Sequence, residues 1–337
     1  MSIHQGDKRS NNRTFHEVLV VVFLLGTLGL GITFSVLLEQ SGKRKTKRHG
    51  WTSIIDNERH RPIPSERLLY DQRHEIQLPM GQPRAVAIGL EDKVYVAGDK
   101  AVLVLDRHGE QLFQLSVSDI ATAVAVDKDG RVYVGVKDHV ELFKPDGTRL
   151  TSWPSLNAEA MITSIAVGED IFLGDFASQC VWRCDRNGKV LGRIASGEGG
   201  RRLRFCPCIA VVDVATGLEG RFWLSDHKNF QVQEYGPDGI MIRQWGRRSS
   251  SLDGFFSPCN PTHLAIGPSG RVFTSEQIIE RVKVYDPDGQ FLGVVVGPTD
   301  LTKGTEGLDL AVNSKGDVLV LDPKRKTIHV FGKRGPF

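Results

Sequence analysis

"RVKVYDPDGQFLGVV" (residues 281–295) alternates apolar and polar side chains into a Pro-Asp-Gly turn and out again into a second alternating run. Period-two alternation broken by a glycine turn is the pattern of a β-hairpin. The skeleton returns in "VLVLDRHGEQL" (102–112), "VELFKPDGTRL" (140–150), "VWRCDRNGKVL" (181–191), "VQEYGPDGIMI" (232–242) and "IHVFGKRGPF" (328–337). Glycine at the fourth turn position supplies a positive φ, and the Asp, Asn or Pro before it favours the tight bend.

Another strand precedes each hairpin: "DKVYVAG", "GRVYVGV", "DIFLGDF", "GRFWLSD", "GRVFTSE" and "GDVLVLD". A short apolar one comes before each of those: "RAVAIG", "TAVAVD", "TSIAVG", "VVDVA", "THLAIG" and "LDLAVN". Four short strands per unit, six units and a period of roughly 40 to 50 residues predict an all-β fold, a six-bladed β-propeller of four-stranded antiparallel blades. The blades fall at about 83–115, 121–153, 162–194, 209–245, 261–296 and 307–331, within a domain spanning 75–337. In the first strand the fifth aligned position reads Ala87, Ala125, Ala166, Asp213, Ala265 and Ala311, and the third reads Ala85, Ala123, Ser164, Val211, His263 and Asp309. Small side chains suit strands that converge on one axis. The last unit lacks room for a full outer strand, so the orphan strand 75–78 is expected to pair with it and close the ring.

Ahead of the propeller, residues 18–38 are uncharged throughout, long enough to cross a ~30 Å hydrocarbon core as a helix. The run is too long for the apolar region of a signal peptide, and no small-x-small cleavage site follows it, so an uncleaved signal-anchor is expected. Residues 1–17 form a short tail, and 39–74 read as a polar stalk. Lys43, Arg44, Lys45, Lys47 and Arg48 beyond the span argue by the positive-inside rule for a cytoplasmic domain. The short basic tail argues for export, and an extracytoplasmic propeller is the expectation adopted.

The formal charge of +3 comes from the amino-terminal part: residues 1–74 carry 12 Lys and Arg against 7 Asp and Glu, and residues 75–337 carry 31 against 33. A near-neutral propeller is a poor match for a dedicated nucleic-acid binder, and no nucleic-acid partner is expected.

The units resemble the NHL repeat, and the whole resembles a membrane-anchored, bacterial type of NHL six-bladed propeller. Unit four matches best, with Asp226 and Asn229 in "LSDHKNFQVQEYGPDG"; Asp175 and Asp322 fill the acidic position, and Glu276 substitutes in unit five. Recurring at one place in several blades, this acid is expected to accept backbone N–H groups of the following turn. The resemblance implies fold more firmly than function, since one fold hosts many activities. Peptide-amidating lyases of the same superfamily use channel histidines around zinc, and similar lactonases use an Asp/Asn/Glu calcium cage. One His and one Asp at the third position fall short of either set.

Chemistry could gather where the long loops 195–208 and 246–260 lead into blades four and five. Arg201, Arg202, Arg204, Arg247, Arg248 and His263 are the candidate ligand- or partner-binding residues. Cys206, Cys208, Cys259 and His263 could hold a metal; a Cys208–Cys259 or Cys206–Cys259 disulfide, or buried thiols, are the alternatives. Cys180 and Cys184 lie about 13 Å apart on one strand and are expected to be packing residues. The expected function is a membrane-anchored, non-catalytic scaffold that binds a protein or small acidic ligand and needs no cofactor. The alternative is a metal-dependent enzyme or redox accessory.

Overall fold

The structure, a computed structural model, describes residues 53–194, 211–257 and 259–335. The chain divides into an amino-terminal unit, Met1–Asn57, and the body Glu58–Phe337. The expected span 18–38 lies outside the described residues, and among those described no helix is long and apolar enough to cross a membrane.

The body is a ring of six four-stranded antiparallel sheets. Each blade runs outward from a first strand on the channel: Pro83–Ile88, Ala121–Val126, Ile162–Val167, Val214–Thr216, Leu264–Ile266 and Leu310–Val312. The outer strands of blades one to five are Gln111–Ser116, Arg149–Ser152, Val190–Ile194, Met241–Trp245 and Phe291–Val296. Blade six has the order first strand, Val318–Asp322, Thr327–Lys333 and finally Tyr70–Gln77, so the start of the domain supplies its outer strand.

This closing strand is longer than the alternation in "HEIQL" suggests. Its pairing extends from Gln77 opposite Thr327 back to Tyr70 opposite Lys333, with a bulge between Gln72 and His74. The bulge inserts a residue and breaks the period of two, which hides the first half of the strand from pattern reading. Residues 70–74, read from the sequence as the end of a polar stalk, belong to this strand. The Leu69 N–H already donates to the Val294 carbonyl at 3.0 Å, and the Arg334 N–H to that of Leu69 at 2.9 Å.

Apolar burial lies between the blades, because alternate side chains of a strand face opposite neighbours. Val94, Val96, Leu103 and Leu105 of blade one pack against Leu319, Leu321 and Ile328 of blade six. Tyr95, Ala97, Val102 and Val104 of the same two strands pack against Val124, Val132 and Val134 of blade two. Each fully buried Val or Leu contributes about 1.5–3 kcal/mol of transfer free energy, repeated around the ring.

The outer-hairpin glycines do a second job besides turning the chain. Gly289 has φ +84°, and a Cβ there would lie 2.5 Å from the Trp245 ring at the end of the preceding blade. Gly188 stands against Trp153 in the same way, at 2.4 Å. A turn residue with no side chain therefore lets blades three and five nest on the blade before.

The recurring acid behaves as expected. Asp175 accepts the Met161 and Ser178 N–H groups at 2.9 and 3.1 Å, and Asp322 accepts those of Lys324 and Arg325, both at 3.0 Å. Asp226 accepts the side-chain amides of Asn229 and Gln233 at 2.8 Å. In blade five Glu276 instead pairs with Arg281 and lies 3.4 Å from the Lys283 ammonium.

Lys283 stands at a polar position of the alternating stretch 281–295, yet it is fully buried. Its ammonium donates to the Gly254 carbonyl at 2.7 Å and sits 4.0 Å above the Phe255 ring. Burial pulls its pKa down to about 7, against the Glu276 charge that pulls it up. The folded chain thus gives up a proton that the unfolded chain holds to about 10.5, so this group's contribution to stability rises with pH between those values. Lys283→Met should lose stability relative to the wild type as the pH of urea melts is raised from 7 to 10. A gap that stays constant with pH would contradict the burial of a titrating ammonium.

Candidate functional site

At the channel, backbone register corrects the alignment of unit four. The Ser225 N–H donates to the Asp213 carbonyl, Ser275 to His263 and Leu321 to Asp309, at 3.0, 2.9 and 2.9 Å. Asp213, His263 and Asp309 therefore occupy one level, shared with Ala85, Ala123 and Ser164, which pair with Ala97, Gly135 and Gly174. Ala215, opposite Trp223, takes the narrow fifth position assigned above to Asp213, and Val211 is displaced from the third. Unit four is shifted by two residues. The usable signal was downstream: Ala215 stands as far from Gly220-Arg221 as Ala265 does from Gly270-Arg271.

At this level a side chain of one blade latches the first strand of the next. Ser164 Oγ accepts the Val214 N–H at 3.0 Å and donates to the Val212 carbonyl at 2.7 Å. Asp213 Oδ2 accepts the Leu264 N–H at 2.6 Å, and Asp309 Oδ2 accepts the Val86 N–H of blade one at 2.8 Å. His263 has no such task, because the Leu310 N–H turns to Asp309 Oδ1 at 2.8 Å. The ring is 5% exposed, and neither of its nitrogens has a hydrogen-bond partner among the described residues. Nδ1 stands 3.3 Å from Asp309 Oδ1 and 3.8 Å from Asp213 Oδ1.

Burial alone would strip the proton from His263. The neighbouring Asp213 and Asp309 carboxylates outweigh it and raise the pKa to about 10, so the ring is an imidazolium at neutral pH. Burial pushes the Asp213 carboxyl upward, and the same imidazolium pulls it back.

The channel, about 210 Å³, is lined by all six first strands. At the end where those strands begin it opens into a mouth of about 490 Å³ lined by Arg84, Met161, His263, Gln277, Glu306 and Lys324 among others. His263 borders both spaces.

The other candidate residues divide sharply. Arg201, Arg202, Arg204, Cys206 and Cys208 lie outside the described residues. Arg247 is exposed and paired with Asp253 at 2.6 Å, and the Arg248 guanidinium lies over the Phe230 ring at 5.6 Å. Cys259 is buried and disulfide-bonded, its partner outside the described residues, so it has no thiolate to offer a metal. The residues that the structure brings to His263 are Asp213 and Asp309. Cys180 and Cys184 are buried free thiols, and burial pushes both up, Cys184 to about 12, which leaves them unreactive.

His227 went unassigned in the sequence. Its ring nitrogens lie 2.7 Å from the Pro261 carbonyl oxygen and 2.6 Å from that of Val211, tying together the approaches to blades four and five. Burial pulls its pKa down against the upward pull of those carbonyls.

No family model matches the chain. Mouse E3 ubiquitin-protein ligase TRIM56 is 24% identical over 289 residues, which are 84% of this chain and 32% of that protein. The chain thus spans about a third of that relative's length. Among solved structures, a streptogramin B lyase superposes with TM-score 0.55 at 10% identity, covering 80% of this chain and all of that one. The WD40 β-propeller domain of Doa1 does so with TM-score 0.53 at 13% identity, over 79% of this chain and 97% of that one. At these identities the likeness is one of fold.

Proposed function

We propose that the chain is a membrane-anchored propeller of the NHL type that works as a non-catalytic binding module, taking a protein or small acidic ligand at the loop-side mouth of its channel. The observation that carries this reading is the mouth itself: a concave space of about 490 Å³ with Arg84, Lys324 and Glu306 on its wall. Concavity with a few convergent polar groups is what a ligand site requires. The loop 246–260 lies at the same end of blade five, since the Phe256 N–H donates to Glu276 Oε1 where the second strand ends. The apolar run 18–38 supplies the anchor, and the short basic tail before it favours an extracytoplasmic propeller. Activity of a periplasm-dependent reporter fused after Phe337 checks the side; a silent reporter contradicts it.

A benzophenone side chain at Met161, which is 39% exposed on the mouth, should crosslink the partner in intact cells. The same probe at Leu90, 47% exposed in the turn at the other end of blade one, should not. Arg84→Glu with Lys324→Glu should abolish the Met161 crosslink if the ligand is acidic. Equal crosslinking from both ends would overturn the reading.

A further inference from the structure

The binding reading leaves the channel interior unused. We propose that Asp213, His263 and Asp309 form a divalent-metal site of the zinc or manganese class, its open side turned toward the mouth.

The three side chains come from three successive blades, and their potential ligand atoms all lie within 4.8 Å of one another. His263 supplies an independent sign of a ligand. It is more than nine-tenths buried, borders both the channel and the mouth, and neither ring nitrogen has a hydrogen-bond partner among the described residues. A buried polar atom in that condition costs about 1–3 kcal/mol unless something occupies the space beside it.

Both carboxylates are already oriented. The Leu264 and Val86 N–H groups hold Asp213 Oδ2 and Asp309 Oδ2, and each Oδ1 is turned toward Nδ1, that of Asp309 also accepting the Leu310 N–H at 2.8 Å. Outer-shell bonds of this kind fix first-shell ligands in metal sites. Ligands bound at ~2.0–2.2 Å in tetrahedral or octahedral geometry lie about 2.8–3.6 Å apart. The His263–Asp309 separation of 3.3 Å falls in that range, and the His263–Asp213 separation of 3.8 Å needs only a few tenths of an ångström.

The donor set selects the ion. Calcium takes six to eight oxygen ligands, and these three side chains offer an imidazole and two carboxylates. Without a thiolate there is nothing to favour a soft ion, so zinc or manganese fits. Ala85 and Ala123, at the same level on the opposite wall, are too small to fill the remaining coordination positions.

The full-length chain, purified in detergent and stripped with chelator, should bind one equivalent of Zn²⁺ or Mn²⁺ in a calorimetric titration. Asp213→Asn and His263→Gln should each weaken that binding roughly 100-fold or more, since the loss of an outer-shell partner alone costs 10–100-fold. Asn at 213 keeps an oxygen for the Leu264 N–H, so the ring stays latched. Ser164→Ala removes a latch at the same level outside the cluster; it should lower the melting temperature and leave metal affinity unchanged. Absence of saturable binding by the folded chain, or binding equally tight in Asp213→Asn and His263→Gln, would overturn the site. Loss of metal with the Met161 crosslink intact would leave the binding reading standing.

Discussion

Replacing Glu276 by alanine is expected to cost about 3–5 kcal/mol, the penalty for breaking a buried ion pair from one side. The side chain is 1% exposed and ends the second strand of blade five. One carboxylate holds the Phe256 N–H at 3.1 Å, pairs with Arg281 and lies 3.4 Å from the Lys283 ammonium. Arg281 and Lys283 are 4% and 0% exposed, so its removal strands the Arg281 guanidinium in an apolar setting and drives Lys283, already pulled down to about 7, to give up its proton. Against a total stability of roughly 5–15 kcal/mol for a domain, this is a large share. Glu276→Gln should fall between, since it keeps an acceptor for Phe256 and loses the charge. Urea midpoints at pH 7 measure both, and a loss below about 1 kcal/mol for Glu276→Ala would show that water reaches the cluster.

The sequence pattern carried most of the architecture because a propeller repeats its local chemistry. Turn glycines such as Gly289 sit where both a positive φ and close packing demand them, and Ala87, Ala125, Ala166, Ala265 and Ala311 line the channel. Where the repeat was read wrongly, a local cue was missing. "VVDVA" offers an acidic residue where the other units show alanine, and the frame of unit four shifted by two. That shift concealed the candidate site, because it separated Asp213 from His263 and Asp309. Lys283 illustrates a different limit. Alternation marks which neighbour a side chain faces, and in a stacked blade both neighbours are protein, so a polar position carries no promise of solvent. The cysteine and arginine readings rested on loops of unknown path, and the structure gathers carboxylates at His263 instead.

Ile76→Asp should be as damaging as the loss of Glu276, above about 4 kcal/mol, for a different reason. Ile76 is 5% exposed and packs with Leu319, Leu321, Ile328 and Val330 in the seam where the ring closes. A Cβ on Gly109 of blade one would lie 2.8 Å from its Cγ2, so the seam has no slack. A carboxylate there must ionise without a partner or detach its strand. Detachment frees the edge of Thr327–Lys333, and a bare edge strand invites association. The variant should therefore melt early and aggregate.

Backbone hydrogen exchange on the full-length wild-type chain tests the closure most directly. The antiparallel ladder from Tyr70–Lys333 to Gln77–Thr327 predicts that residues 71–77 and 328–333 are protected together, and more strongly than the exposed outer strand Arg149–Ser152. Fast exchange across 71–77 alongside persistent protection of 328–333 would mean that the first strand does not seal the ring.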